Sequence, residues 1–258
     1  MNNIFNLEGK VAVVTGASSG LGKSAALAYA ENGASVALLG LDEEKLEKVK
    51  TEIMEKGRDA LAIRCDVTKE QEVQDTIKNV LKKYGHIDIL LNNAGVAVPG
   101  GVETLKEEEW DKSFNVNVKG MYLLSKYVIP EMKKQNYGKI VNIASVNAVI
   151  ADKDDIFIRH SYNASKAAVL GLTKGMACSY ARYGITVNAV GPALFKTEMT
   201  ENTLFKSERF LNGYNMLNPS SRPGKEGELN GTILYLSSDA SSYTQGQFII
   251  VDGGGSLV

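Results

Sequence analysis

Tyr162 and Lys166 stand four residues apart in a run of small, helix-compatible residues, Ser161 to Ala168. On a helix that spacing places both side chains on one face, a turn apart. An ammonium beside a phenol favours the phenolate, so such a tyrosine can exchange a proton well below its ordinary pKa of about 10. Reversible interconversion of a ketone and an alcohol near neutral pH needs that property. The pair alone is not diagnostic, because Tyr and Lys meet at this spacing in many helices.

A second chemical feature lies at the start of the chain. The β-branched run 11–14 reads as a buried parallel strand and leads into Thr15-Gly-Ala-Ser-Ser-Gly-Leu-Gly22, followed by a good helix former over 23–30. Strand, glycine turn and helix N-terminus together suit a phosphate: backbone N–H groups and the helix dipole point at the anion, and glycines let it approach. Gly16, Gly20 and Gly22 give G-x-x-x-G-x-G rather than the more widespread G-x-G-x-x-G. A tight strand–helix turn without a ligand is the competing reading.

These residues need elements to position them. Apolar runs at 35–39, 60–63, 87–91, 140–144, 186–190 and 248–251 alternate with helical patterns near 69–84, 106–134, 161–183 and 225–238. The alternation predicts an α/β fold, a doubly wound parallel sheet of about seven strands with helices on both faces. Ligands of such sheets bind beyond the carboxyl ends of the strands. At those ends stand Gly40, Leu41 and Asp42; Asp66 and Val67; Asn92, Asn93, Ala94 and Gly95; Ser145; and Pro192. Each could be an ordinary turn residue, but turns alone do not explain the whole series.

With 258 residues and no linker-like composition break, one domain over 1–258 is expected. A net charge of -1 with both signs interspersed gives no electrostatic case for nucleic acid or a membrane. Cys65 and Cys178 lack disulfide or metal spacing and read as reduced core residues, and His86 and His160 form no metal cluster. The first ten residues lack a signal-peptide core and no run reaches transmembrane length, so a cytoplasmic location is expected.

The combination of Thr15-Gly-x-x-x-Gly-x-Gly22, Asp66-Val67, Asn92-Asn-Ala-Gly95, Asn117, Ser145, Tyr162-x-x-x-Lys166, Pro192 with Thr197, and Asp252-Gly253-Gly254 resembles the short-chain dehydrogenase/reductase family over essentially the whole chain. Within it, the segments 196–200 and 238–242 look most like the gluconate 5-dehydrogenase-like branch, while hydroxysteroid dehydrogenases share much of the pattern. The resemblance implies an NAD(P)-dependent alcohol dehydrogenase or ketone reductase that is a homotetramer. It implies that Tyr162 is the general acid or base, that Lys166 lowers its pKa and holds the nicotinamide ribose, and that Ser145 binds the substrate oxygen. Asn117, rather than nearby Asn115, would break helix hydrogen bonding locally and hold a water near Lys166. Cofactor contacts are implied for Gly16, Ser18, Ser19, Gly20, Leu21, Gly22, Leu41, Asp66, Val67, Asn93, Ala94, Gly95, Pro192, Phe195 and Thr197.

Two departures stand out. Ala193 replaces the glycine that follows the family's proline, and the segment between Ser145 and Tyr162 is long enough to overhang the substrate; Arg159 and His160 there are candidate substrate contacts or plain surface residues. Cofactor choice turns on the end of the second strand. Neither Gly40 nor Leu41 is acidic or basic, and Asp42 can serve the ribose or cap the next helix; with no visible cation for a 2′-phosphate, NAD is favoured over NADP. A lid is expected over 193–217. Its Leu204, Phe205, Phe210, Leu211, Tyr214 and Met216 suit a steroid such as a bile acid, whereas Lys196, Lys206 and Arg209 suit a sugar acid or polyol. A catalytically inactive dinucleotide-binding regulator is the alternative; enoyl reduction and epimerisation fit neither the Tyr–Lys nor the glycine spacing.

Overall fold

A computed structural model describes residues 4–151, 157–201 and 204–258. Seven parallel strands form one sheet in the order β3-β2-β1-β4-β5-β6-β7: β1 Val11–Thr15, β2 Ser35–Gly40, β3 Ala60–Arg64, β4 Ile89–Asn92, β5 Gly138–Ile143, β6 Ile185–Pro192 and β7 Phe248–Val251. Side chains alternate across the sheet. Ala12 and Val14 face one apolar layer with α1 (Gly20–Glu31), α2 (Glu43–Glu55) and α9 (Asn230–Ser237); Val11 and Val13 face the other with α3 (Glu70–Tyr84), α5 (Gly120–Gln135) and α6 (His160–Tyr180). Burial on both faces is why the strands read as continuous apolar runs rather than alternating ones.

The order reverses between β1 and its two neighbours β2 and β4. The crevice of a doubly wound sheet opens at such a point, outside the carboxyl ends of the strands. Polar side chains fasten this edge internally: Asn92 Nδ2 donates to Asn142 Oδ1 and Asn142 Nδ2 to Thr173 Oγ1, each at 2.9 Å.

The long helix expected over 106–134 is two helices, α4 (Glu107–Phe114) and α5, joined by a π-turn over Asn115–Lys119. Cys178 also departs from expectation. It is exposed, because the buried stripe of α6 runs through Val169, Thr173, Met176 and Ala177, and residue 178 lies about 100° further round the helix. Cys65 is buried. The segment after β6 carries α7 (Glu198–Glu201) and α8 (Glu208–Leu217).

Candidate active site

The glycine turn is built by its neighbours. Gly16 and Gly20 take φ of +64° and +53°, values that a side chain rarely allows. A Cβ on Gly22 would fall on the Gly16 carbonyl and the Asn93 amide. Asn93 Nδ2 donates to the Thr15 carbonyl at 2.9 Å, while Thr15 Oγ1 accepts from the Asn93 and Ala94 backbone N–H groups at 2.8 and 2.9 Å. Thr15 is thus a site-building residue that motif reading left without a role; its position as the last residue of β1 was the available signal. Ser19, the residue before α1, makes no side-chain cap bond and the first turn holds no acid, so the helix N-terminus is suited to an anion.

Next to this turn, Gly95 keeps open the space between Asn117 and Lys166: a Cβ there would sit 3.3 Å from Asn117 Oδ1 and 3.4 Å from Lys166 Nζ. Asn117 is fully buried in the π-turn, whereas Asn115 is exposed. Its amide clasps the loop after β4, accepting from Val96 N–H at 2.8 Å and donating to the Val96 carbonyl at 2.9 Å. Asn117 Nδ2 also donates to Ser165 Oγ, which in turn donates to the Tyr162 carbonyl at 2.8 Å. One hydrogen-bond chain therefore runs from the β4 loop into the first turns of α6.

Tyr162, Ser145 and Lys166 converge there. Ser145, buried just after β5, accepts from the Asn147 N–H at 3.1 Å and is hydrogen-bonded to the Tyr162 phenol. Lys166 is buried, and its Nζ donates to the Ile143 carbonyl at 2.8 Å, 5.7 Å from the Tyr162 ring centroid. Burial holds the Lys166 ammonium down at about 8. The expectation that Lys166 draws the phenol below its ordinary value is not met: burial pushes Tyr162 up, and the opposing influences are the Ser145 hydrogen bond and the Arg159 charge. The physical reason is that Lys166 directs its proton to Ile143 and is itself desolvated.

The other expected contacts divide. Asp66 accepts from Thr68 N–H at 2.9 Å and from its hydroxyl at 2.8 Å; burial raises its carboxyl, but these donors with Lys69 and Arg64 leave it below the usual range. Val67 packs on Gly120. Leu41 is exposed, and Asp42 caps α2 through Lys45 N–H at 3.0 Å, so the acid near the ribose position serves the helix. Phe195 is a correction: its ring lies in the core against Gly224, leaving only its backbone for a cofactor. Thr197 rests on Gly20 and bonds Thr200 Oγ1 through its N–H at 2.9 Å. Pro192 ends β6. Ala193 has no positive φ and donates its N–H to the Val251 carbonyl at 3.2 Å, so losing the glycine imposes no strain.

A cation near the ribose position was missed. Lys45 lines a cleft of about 510 Å³ together with Ser18, Ser19, Gly20 and Leu21. It is bound by Glu198 of α7 at 2.8 and 2.9 Å, a pairing 153 residues distant that spacing does not reveal. His160 Nδ1 accepts from Val102 N–H at 3.1 Å and so belongs to the loop scaffold. In the lid, Phe210 of α8 packs on Phe157 with ring centroids 4.7 Å apart and lies 6.1 Å from Tyr214, while Met216 is exposed. Residues 152–156 of the overhanging segment, 202 and 203 of the lid, and the side chain of Met199 lie outside the description. Among the described residues no cluster of His, Cys, Asp or Glu could hold a metal, and no helix is long and apolar enough to cross a membrane.

Comparison with known proteins agrees with this geometry. Residues 10–207 match the model of the short chain dehydrogenase family. The 3-oxoacyl-[acyl-carrier-protein] reductase FabG of Thermotoga maritima is 39% identical over 251 residues, covering 97% of this chain and 99% of that one. An NAD-dependent glycerol dehydrogenase of Listeria innocua is 38% identical over 250 residues, covering 97% and 95%. A gluconate 5-dehydrogenase of Burkholderia cenocepacia, solved with NADP and tartrate, superposes with a TM-score of 0.94 at 32% identity, covering 99% and 98%. The chain belongs to the short-chain dehydrogenase family and is an NAD(P)-dependent dehydrogenase/reductase.

Proposed function

We propose that the chain interconverts a secondary alcohol and its ketone on a sugar acid or polyol, with Asn117, Ser145, Tyr162 and Lys166 as its proton-handling group. The observation that carries this reading is the meeting of the Ser145 hydroxyl and the Tyr162 phenol above Lys166 at the carboxyl edge of the sheet. Likeness to a gluconate 5-dehydrogenase and to a glycerol dehydrogenase supports the substrate class over a steroid.

The glycine turn, with Gly22 leaving the space a Cβ would fill, fits a dinucleotide pyrophosphate; Gly16, Ser18, Ser19, Gly20, Leu21 and Thr197 would hold it. When bound, the nicotinamide exchanges a hydride with the substrate carbon. In ketone reduction Tyr162 gives its phenolic proton to the carbonyl oxygen, and in alcohol oxidation the phenolate takes the hydroxyl proton. Ser145 donates a hydrogen bond to the same oxygen as charge develops. Lys166 holds a cation below the phenol, and Asn117 fixes α6 against the β4 loop so that the two donors stay in register. NAD is the favoured cofactor, since Lys45 is engaged by Glu198. A homotetramer is the inferred assembly.

Tyr162→Phe tests the assignment. Turnover should fall by roughly two to four decades, while binding of reduced cofactor, read by its fluorescence, stays unchanged. Retained turnover would remove Tyr162 from the chemistry and the proposed mechanism with it.

A further inference from the structure

Arg159 is a second cation at the reacting centre, and nothing in the hydride chemistry requires it. Its Cζ lies 5.9 Å from the Tyr162 ring centroid, about as near as Lys166 Nζ at 5.7 Å. The backbone that carries it is fastened on both sides. Gly100 N–H donates to the Ile158 carbonyl at 2.9 Å, His160 N–H to the Gly100 carbonyl at 3.1 Å, and Asn163 N–H to the Arg159 carbonyl at 3.0 Å. Arg159 Nε donates to the Phe157 carbonyl at 3.1 Å, which sets the plane of the guanidinium. Phe157 is the residue that meets Phe210 of the lid helix. The half-buried guanidinium is therefore held where the loop before α6, the lid and the catalytic tyrosine come together.

We propose that Arg159 binds a carboxylate of the substrate, so that the molecule turned over is a small hydroxy or keto acid rather than a neutral polyol or a steroid. A guanidinium fork can hold a loop carbonyl and a carboxylate at once, and it matches a carboxylate in plane and charge better than a lysine would. Its place beside the proton donor, rather than at the far end of the lid, sets the carboxylate within a few carbons of the reacting one. The aromatic pair Phe157–Phe210 would close over the short carbon chain between them. The felt charge at Tyr162 supports the placement: the same guanidinium works against the burial that raises the phenol. The inference rests on the dehydrogenase reading and narrows its substrate.

The experiment compares D-gluconate with its neutral counterparts, D-glucitol and the primary amide of gluconate, using the full-length enzyme with NAD and with NADP. Wild type should favour the acid over either neutral compound by roughly ten- to hundredfold in kcat/KM, the range for a hydrogen-bonded charged partner. Arg159→Met should lose that preference, chiefly through KM for the acid, with the neutral substrates unaffected; Arg159→Lys should restore part of it. Equal losses on all three substrates, with an alkaline shift of the pH profile, would mean that Arg159 only tunes Tyr162 and would overturn the proposal. A wild type that turns over the neutral compounds as well as or better than the acid would overturn it too, while leaving the dehydrogenase reading standing. Cofactor binding by both variants serves as the check on folding. Wild type that binds cofactor yet oxidises no alcohol and reduces no ketone would remove the underlying reading, and this proposal with it.

Discussion

Lys166→Met should make the protein more stable at neutral pH and inactive. The lysine is buried with its ammonium held at about 8 against an ordinary 10.5, and at about 1.4 kcal/mol per pH unit the folded state carries roughly 3 kcal/mol of desolvation at pH 7. Methionine has nearly the same length and no charge. It forfeits the hydrogen bond to the Ile143 carbonyl, worth about 1 kcal/mol net, so the variant should gain roughly 2 kcal/mol, or several degrees in Tm for a domain of this size. The sign follows from linkage. Below pH 8 lysine is charged in both states and the full penalty applies. Between about 8 and 10.5 the unfolded chain keeps a proton that the folded one has released, so wild-type stability rises with pH and the penalty fades.

Thermal or urea unfolding of the cofactor-free proteins at pH 7 and near pH 10 reads this directly. The variant should be ahead at the lower pH, and the difference should vanish or reverse at the higher one. An advantage independent of pH would point to better packing rather than to a relieved charge. A variant less stable at pH 7 would refute the argument outright, because the Ile143 bond would then outweigh the burial of the ammonium.

Glu198→Gln should release Lys45 from its ion pair and raise kcat/KM for NADP relative to NAD by roughly three- to tenfold, as one charge-assisted phosphate contact would; an unchanged ratio in steady-state kinetics would mean that Lys45 does not reach the ribose. The homotetramer is read by light scattering at micromolar concentration, where four chains of 27.9 kDa should elute together; a stable monomer would leave the half-exposed Trp110 of α4 and Tyr122 of α5 without the partner this assembly supplies.

What the sequence discloses and what it hides divide along a physical line. Buried parallel strands announce themselves as β-branched runs, and 248–251 is both expected and found while the others move by one or two residues at their ends. Residues 106–134 look helical throughout because periodicity senses the apolar face and not the hydrogen-bond partner. The π-turn exists in a stretch where the Asn117 amide is occupied with Val96 and Ser165, a three-dimensional arrangement that no window of sequence contains. Asp42 shows the opposite case: cap and ribose ligand are both local readings, and only the bond to Lys45 N–H separates them. Phe195 misleads because strand-end position says where the backbone goes, while its ring follows the space left by Gly224.

The same line runs through the site itself. The proton-handling residues are joined by buried, short-range bonds from Val96 through Asn117 and Ser165 to Tyr162, and from Lys166 to Ile143. Changing any of them strands a buried polar group, at roughly 1–3 kcal/mol each, so this part of the surface has little freedom to vary. The residues around the substrate are of a different kind. Phe157, Arg159, Phe210 and Tyr214 meet through ring contacts and a loop carbonyl, and α8 buries none of its side chains. Such a wall can be rebuilt without unsatisfying the core. An acyl-carrier-protein reductase and a glycerol dehydrogenase can therefore resemble this chain to nearly the same degree: overall identity measures the conserved proton machinery and sheet, whereas substrate choice depends on a few residues between 157 and 217. Arg159 is the one among them whose charge most directly distinguishes an acid from a neutral alcohol.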